Sequence, residues 1–459
     1  MLGNLLKPEF DELIQARDWN SLREAFTEMD PADVAEVIED LPAKDSGVLF
    51  RLLPRDMAAQ SFEYLPPHQQ SELVSTLGNE ELKNVLNEMA PDDRTRLLEE
   101  LPAEVTRRVL TTLSPAELKV ARELLGYPER SAGRYMTPEF LTLPGNLPAS
   151  AAIEYVRTHG QGRETLNVLY IVDERGRLLD DLRLAALVLA RPDTRISDIH
   201  DRQLVSIPAT ADREEIITFF EKYDRVALPV TDSQGGLLGI ITVDDVLDVA
   251  EEEATEDIQR MGGMEALEAP YLDIGLTEML RKRVGWLTVL FFGQMFTATA
   301  MAHYQDAIAQ AVFLSSFVPL IISSGGNSGS QATSLIIRAL AVRDVSLKDW
   351  WRVAVRESTS GVALGVFLGV LGALRIVLWP GREQLYGPHY VWVGIAVGFS
   401  VIGVVTFGTL CGSMLPFLLR RLGLDPAAAS APFVATLVDV TGVVIYFTVA
   451  STILAGRAF

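Results

Sequence analysis

Soft and reactive chemistry is what this chain has least of. Cys411 is the only cysteine in 459 residues, so no internal disulfide can form and no soft-metal site is expected. The five histidines, His68, His159, His200, His303 and His389, are scattered without ligand spacing. No nucleophile–base constellation stands out, so no enzyme is expected. The first residues, MLGNLLKPEFDELIQ, hold no apolar core of signal-peptide length, so the polar half of the chain is expected to stay in the cytosol. Basic residues are unevenly missing too: none occurs between Arg225 and Arg260. The net charge of -21 fits no nucleic-acid partner.

That charge hides two halves. Residues 1–276 carry a balance of -26, and residues 277–459 one of +5. The second half is apolar and slightly basic. Its long apolar stretches, near 284–303, 311–337, 357–379, 391–418 and 429–455, are each long enough to cross about 30 Å of hydrocarbon. Five α-helical spans are expected. Arg281, Lys282 and Arg283 precede the first span. Arg343, Lys348 and Arg352 follow the second, and Arg420 and Arg421 follow the fourth. The opposite loops hold only Arg382 and Arg457. Cytosolic loops carry the excess of Lys and Arg, so the N-terminal half should lie inside and the C-terminus outside. Gly361, Gly365 and Gly369 in the third span form a stripe for close helix packing.

Two features of the spans point to chemistry. The second span contains Pro319 and the small polar run SSGGNSGSQATS, residues 323–334. At membrane depth such a run needs protein or a water-filled cavity around it. Either Gly325 and Gly329 form a packing seam, or a kinked helix lines a path with Asn327 and Gln331 on one face. The fifth span carries Asp439, a charge costing about 2.5–3.5 kcal/mol on insertion scales. No salt-bridge partner is evident at its depth. It is either a protonated acid bonded to a neighbouring helix or an ion site. A carboxylate among hydroxyls and amides suits a hard cation, and Mg²⁺ keeps several of its waters. One Asp per chain suggests that a symmetric dimer pairs two about its axis.

The polar half holds a repeat. Met29, Leu41, Leu53, Leu65, Leu77, Met89, Leu101 and Leu113 recur every twelve residues. Three positions before each stands another apolar residue, from Phe26 to Leu110. Short helices broken by turns and stacked as a solenoid are expected. Residues 131–250 alternate β-rich runs with helical stretches. GLLGIITVDDVLDV reads as a strand leading into a helix capped by Thr242. Gly239, Ile240, Ile241, Thr242 and Asp245 resemble the second half of a CBS-domain pair, with a weaker first copy around 131–195. That resemblance implies a ribose-holding role for Thr242 and Asp245, and ATP as a possible ligand. The run DDVLDVAEEEATED, residues 244–257, then holds eight acids. Asp244, Asp248, Glu252 and Glu256 fall four apart on a helix, where like charges destabilise by about 0.2–0.5 kcal/mol per pair. The run is either a solvated face or a surface neutralised by divalent cations.

The assembled order resembles the MgtE family of Mg²⁺ channels. The residues that carry the likeness are GGNSGSQATSLIIRAL (325–340), LPFLLRRLGLDPA (415–427) and ATLVDVTGVVIYF (435–447). The resemblance implies an all-α solenoid over 1–128, an α/β CBS pair over 129–250, an acidic plug helix over 251–276 and a five-helix pore domain over 277–459. It implies a homodimer in the plasma membrane that imports Mg²⁺ and closes when intracellular Mg²⁺ is high. Asp439 matches the family's pore aspartate, and Asp425 an acidic position near the cytosolic mouth; Asn327 is a further pore candidate. Asp92, Asp93, Asp244, Asp245, Asp248, Glu251, Glu252, Glu253, Glu256 and Asp257 become the expected cytosolic sensors. Ala431 stands where some relatives are expected to hold Asn, so no ion contact is carried to it. Three alternatives stay open: a proton-coupled divalent-cation transporter, a CBS- and ATP-regulated transporter of another substrate, and a membrane-anchored scaffold.

Overall fold

The computed structural model describes residues 8–455 except 11, 15, 17, 40, 42, 200–202, 268–270, 272 and 273. His200 and Arg457 lie outside the described residues. The chain divides into two compact units, Met1–Glu252 and Glu253–Phe459.

Unit 1 opens with short helices α1 (Trp19–Glu28), α2 (Pro31–Glu39), α3 (Ala43–Phe50), α4 (Arg55–Glu63), α5 (Pro67–Thr76), α6 (Asn79–Glu88), α7 (Pro91–Glu100), α8 (Ala103–Thr112) and α9 (Pro115–Leu124). Helices two apart along the chain pack on each other, α2 on α4, α4 on α6 and α7 on α9. The repeat of twelve is the core. Phe26, Ile38, Phe62, Val74 and Leu86 are fully buried, as are most of the Leu and Met residues three places on. Met29 and Leu110, nearest the two ends, are only half-buried.

A second period, of twenty-four, lies over the first. Ser46 Oγ donates to the Ile38 carbonyl at 3.2 Å, Gln70 Nε2 to Phe62 at 2.8 Å and Arg94 Nη1 to Leu86 at 3.0 Å. Each reaches eight residues back, so a polar side chain satisfies the carbonyls left open where every second helix ends. Arg94 is fully buried and also pairs with Glu117.

Two three-stranded sheets follow. β1 (Thr142–Pro144) pairs parallel with β2 (Val168–Val172), which pairs antiparallel with β3 (Leu178–Arg183); β4 (Ile207–Pro208), β5 (Ala227–Thr231) and β6 (Leu237–Thr242) repeat the plan. The first copy is thus built on the same topology as the second. Both hairpins turn on the same chemistry: Asp173 and Asp232 accept backbone N–H bonds two and four residues on, and Gly176 and Gly235 supply φ of 76° and 79°. The two sheets meet across Val168, Tyr170, Ala227 and Ile240. Helices α10 (Ala149–His159), α11 (Leu184–Leu189) and α12 (Arg213–Tyr223) cover them.

β6 runs directly into α13 (Val243–Met261). The connecting helix therefore begins at Val243 and ends at Met261, not over 251–276. Nothing breaks it at 251, whereas Gly262 and Gly263, the latter with φ of 76°, turn the chain. The boundary between units falls within this helix.

Unit 2 holds α14 (Leu276–His303), α15 (Val318–Ala341), α16 (Trp350–Leu378), α17 (Tyr390–Arg421) and α18 (Ala431–Leu454). Among the described residues four helices are long and apolar enough to cross a membrane; α15 is the exception. Its composition is small and polar because it packs by backbone approach. A Cβ on Gly408 would lie 2.3 Å from the Gly325 carbonyl oxygen, and one on Gly412 2.1 Å from that of Gly329. On α16, Cβ atoms at Gly361, Gly365 and Gly369 would meet the α17 backbone at 2.9, 2.8 and 2.6 Å, as the glycine stripe implied. Pro319 does not kink α15. It sits in the first turn, where its missing N–H costs nothing, after a 3₁₀ stretch at Val312–Phe317. Contacts alternate in sense along the chain. Trp286 meets Phe433 and Tyr304 meets Phe447, so α14 and α18 run parallel. Gly326 lies beside Ala435 and Ser330 beside Ala431, so α15 runs opposite to α18.

Candidate cation sites

The acids expected to sense cations divide into two kinds. Asp92 and Asp93 occupy the first turn of α7, after Pro91, and Asp244 and Asp245 the first turn of α13. All four lie within electrostatic reach of Glu164, and Asp93 and Asp245 are in reach of each other and of both Asp92 and Asp244. Burial, and then the charges of Asp245, Asp93 and Glu164, push Asp92 well above the usual carboxylate range. Asp92 is 9% exposed and its Oδ1 has no hydrogen-bond partner among the described residues. Burial and the charges of Asp93, Asp244 and Glu164 raise Asp245 to about 7, against the pull of its Thr242 bond. Burial raises Glu164 to about 7, helped by Asp244 and Asp93. Asp93 rises to about 6 through burial, although Arg96 opposes it. Glu63 also reaches about 7, chiefly by burial, while accepting the Ala90 N–H at 2.8 Å.

These carboxylates crowd together without forming a shell. Among the described residues no group of three or more Asp, Glu, His or Cys side chains is disposed to hold a metal ion directly. An all-oxygen set spaced this way suits a cation that keeps part of its water, as Mg²⁺ does. Glu63 and Glu164 belong to the cluster and were not foreseen. Their neighbours come from distant segments, which sequence spacing does not record.

Three of the remaining acids of α13 already have cations. Asp248 and Glu252 pair with Arg96 at 3.1 and 2.6 Å, and Arg213 stands 3.7 Å from Glu252. In unit 2, Glu256 pairs with Arg260, which also pairs with Asp425. The absence of basic residues between Arg225 and Arg260 therefore does not leave this face uncompensated, because Arg96 and Arg213 come from elsewhere in unit 1. Arg260, four residues after Glu256, was visible as a helical pair. Glu251 is exposed, and Glu253 lies in the field of Arg260; Asp257 is half-buried.

Asp425 is held twice. Its Oδ1 accepts the Ala427 N–H at 2.8 Å and its Oδ2 takes Arg260. This turn is built around Trp286, whose Nε1 donates to Ser430 Oγ at 3.0 Å. A Cβ on Gly263 would lie 2.7 Å from the Trp286 ring, so the close approach needs glycine.

Asp439 stands half-buried on α18, and Gln294 of α14 is the side chain that reaches it. Gln294 carries no signal in the sequence, since an amide on an apolar helix does not mark its partner. The register of α15 on α18 sets Asn327 about one turn from Asp439. α15 is a packing seam on one face, without the expected kink, and its polar side chains lie on another. Gly325, Gly329 and Thr333 are buried against α17, while Ser323, Asn327 and Gln331 are exposed on another face.

Thr242 does not cap α13 by accepting an amide bond. Its hydroxyl donates to Asp245 Oδ2, and its own N–H also points there at 3.4 Å. Asp245 is the third residue of the helix and reaches back to the residue before it, the acidic half of a capping box. The two groups expected to hold ribose are thus bonded to each other.

Comparison with known proteins follows this division. A family model described as a divalent cation transporter matches residues 318–449. One for the MgtE intracellular N domain matches residues 9–130, and a CBS-domain model matches residues 196–252. The chain is 37% identical over 452 residues to the magnesium transporter MgtE of Thermus thermophilus, covering 98% of both chains. It is 28% identical over 452 residues to that of Bacillus subtilis, covering 96% of this chain and 97% of the relative. Among solved structures, the cytosolic domain of the Mg²⁺ channel MgtE in complex with ATP is similar at a TM-score of 0.50 and 34% identity. It covers 52% of this chain and 98% of that one. The soluble part of a magnesium transporter gives a TM-score of 0.52 and 28% identity over 55% of this chain and 99% of that one. With full-length similarity to magnesium transporters, and with helical, CBS and apolar helical regions in their order, the chain belongs to the MgtE family.

Proposed function

We propose that this transporter is a Mg²⁺ channel of the plasma membrane, with Asp439 in its ion path. The observation that carries the reading is the one charged residue of α18, whose neighbour α15 exposes Ser323, Asn327 and Gln331. Such a residue marks an ion or substrate path. All five long helices of unit 2 cross the membrane on this reading. With five spans of alternating sense the two ends of unit 2 lie on opposite sides, and the basic loops then favour unit 1 in the cytosol and the C-terminus outside. A homodimer brings two Asp439 carboxylates to one axis. Asp425 guards the cytosolic end.

Closure follows from the acid cluster. With Mg²⁺ among Asp92, Asp93, Asp244, Asp245 and Glu164, their mutual repulsion is offset and the compact arrangement is favoured. Without it, that arrangement is disfavoured. The end of α13 and the turn at Gly262 and Gly263 then act as the plug that cytosolic Mg²⁺ sets in place. A 99:1 to 1:99 shift needs about 5.5 kcal/mol of differential binding, within reach of several weak sites. Nucleotide is secondary. A relative's cytosolic domain binds ATP, but here a ribose must first displace the Thr242–Asp245 bond.

The test is Mg²⁺ flux into liposomes holding the full chain, for wild type and Asp439→Ala, with and without a pH gradient. Gradient-independent flux that the substitution abolishes is expected. Flux that needs the gradient makes the protein a proton-coupled transporter, and unchanged flux in the variant removes Asp439 from the path.

A further inference from the structure

The ends of α15 and α17 and the start of α16 meet around a small apolar cluster of Ile336, Leu340, Val353 and Phe417. Arg420 reaches across it to the Leu340 carbonyl at 2.9 Å. Around this joint stand Arg338, Arg343, Lys348, Arg356, Arg420 and Arg421, all exposed. Among the described residues none of the six pairs with a carboxylate. Arg352 alone has one, Asp349 at 3.4 Å. Arg343 is kept at a φ of 58°, a conformation glycine adopts at lower cost, so the backbone does not explain its side chain.

The same corner carries Trp350 and Trp351, 51% and 63% exposed, with ring centroids 5.6 Å apart. Indoles at the end of a membrane helix sit at headgroup depth, with the ring body in the apolar layer and the N–H in the polar one. Six cations without an ion pair, with Arg356 only in the field of Glu357, beside interfacial indoles, leave a site that a further negative group would complete.

We propose that this corner binds the headgroup of an anionic phospholipid. The free Arg and Lys side chains take the phosphate, and the Trp pair packs against the glycerol and first acyl carbons. A basic excess of this kind also orients a membrane protein. Orientation alone, however, requires neither clustering about one joint nor the indole pair. The inference rests on the membrane placement of the helices and is independent of the ion path through Asp439.

The test uses full-length protein in vesicles of phosphatidylcholine doped with brominated phosphatidylglycerol or brominated phosphatidylcholine. Tryptophan quenching is read for wild type, for Arg343→Gln with Lys348→Gln and Arg356→Gln, and for Trp350→Phe with Trp351→Phe. Wild type should favour phosphatidylglycerol, and each cation removed should weaken that preference by up to about fivefold. The Trp variant should lose most of the quenching that the two lipids do not share. Equal quenching by both lipids in wild type, or an undiminished preference in the triple variant, overturns the proposal. If the triple variant does not fold, Lys348→Gln alone makes the same comparison at smaller amplitude. A preference that excess soluble glycerol phosphate abolishes would mean a free-anion site and would equally overturn it.

Discussion

The two ends of the helix Val243–Met261 handle the same charge in opposite ways. At its start, in unit 1, Asp244 and Asp245 lie near Asp93 and Glu164, and burial, helped by the neighbouring carboxylates, raises Asp92, Asp93, Asp245 and Glu164. Near its end, in unit 2, Glu256 meets Arg260, which also holds Asp425. At the first end, among the described residues, only Arg96 opposes the carboxylates, whereas at the other Arg260 pairs with both acids. On the proposed reading only the first end answers a cation from solution, so the partners of an acidic run decide which of its acids respond.

The largest test removes the uncompensated end. Asp92→Asn with Asp245→Asn lifts two charges from the cluster. The full chain should then need at least about tenfold more Mg²⁺ to protect the segment after Met261 from protease. Tenfold corresponds to about 1.4 kcal/mol of coupling. Protection at an unchanged Mg²⁺ concentration would place the sensor elsewhere.

The opposite end gives a smaller effect. Arg260→Gln leaves Glu256 and Asp425 facing each other without a cation. Half-maximal closure should move to about fivefold higher Mg²⁺, in keeping with about 1 kcal/mol for a one-third exposed pair. It should also become sensitive to ionic strength, since the built-in charge no longer screens the two acids. If flux through liposomes closes as in wild type, the Arg260 contact is only structural.

Protons should act on the cluster as a weaker counter-charge. Carboxylates raised in the folded state hold protons more tightly there than in the unfolded chain. Their stabilising effect is full below the unfolded values near 4 and is lost as pH rises through about 6 to 7. Without divalent cations, calorimetry of the full chain should show the unit 1 transition falling between pH 5 and pH 8. The fall should be about 2–4 °C for each kcal/mol lost, and Mg²⁺ should flatten it. A transition that stays level or rises without Mg²⁺ contradicts the cluster's assigned charges.

Local signals were legible in the sequence, and tertiary ones were not. The twelve-residue spacing located the solenoid core because each short helix buries the same two positions. The strand into TVDD was legible because β6 ends at Thr242 and α13 starts at once. The glycines of α16 were readable as packing because a four-residue interval lies on one helix face. Glu164 and Arg96 were not readable, since α7, α13 and the loop before β2 come together only on folding. Pro319 misled for a related reason. A proline breaks a helix only from within, and the hydropathy of a small polar helix does not reveal where it begins. The end of the connecting helix was also misplaced, although Gly262 and Gly263 were a stop signal.

The smallest effect is expected at Asp248, and its smallness separates the two kinds of acid. Asp248 is on the same helix as Asp245, three residues later, yet its side chain is 61% exposed and pairs with Arg96 at 3.1 Å. Arg96 keeps Glu252 as a second partner at 2.6 Å, so Asp248→Asn leaves no buried cation unpaired. An exposed pair of this kind contributes about 0.2–1 kcal/mol. Closure should therefore shift by about twofold or less in Mg²⁺, against the tenfold expected for Asp92 with Asp245. Equal shifts for the two variants would mean that helix-wide charge, and not the uncompensated cluster, sets the response.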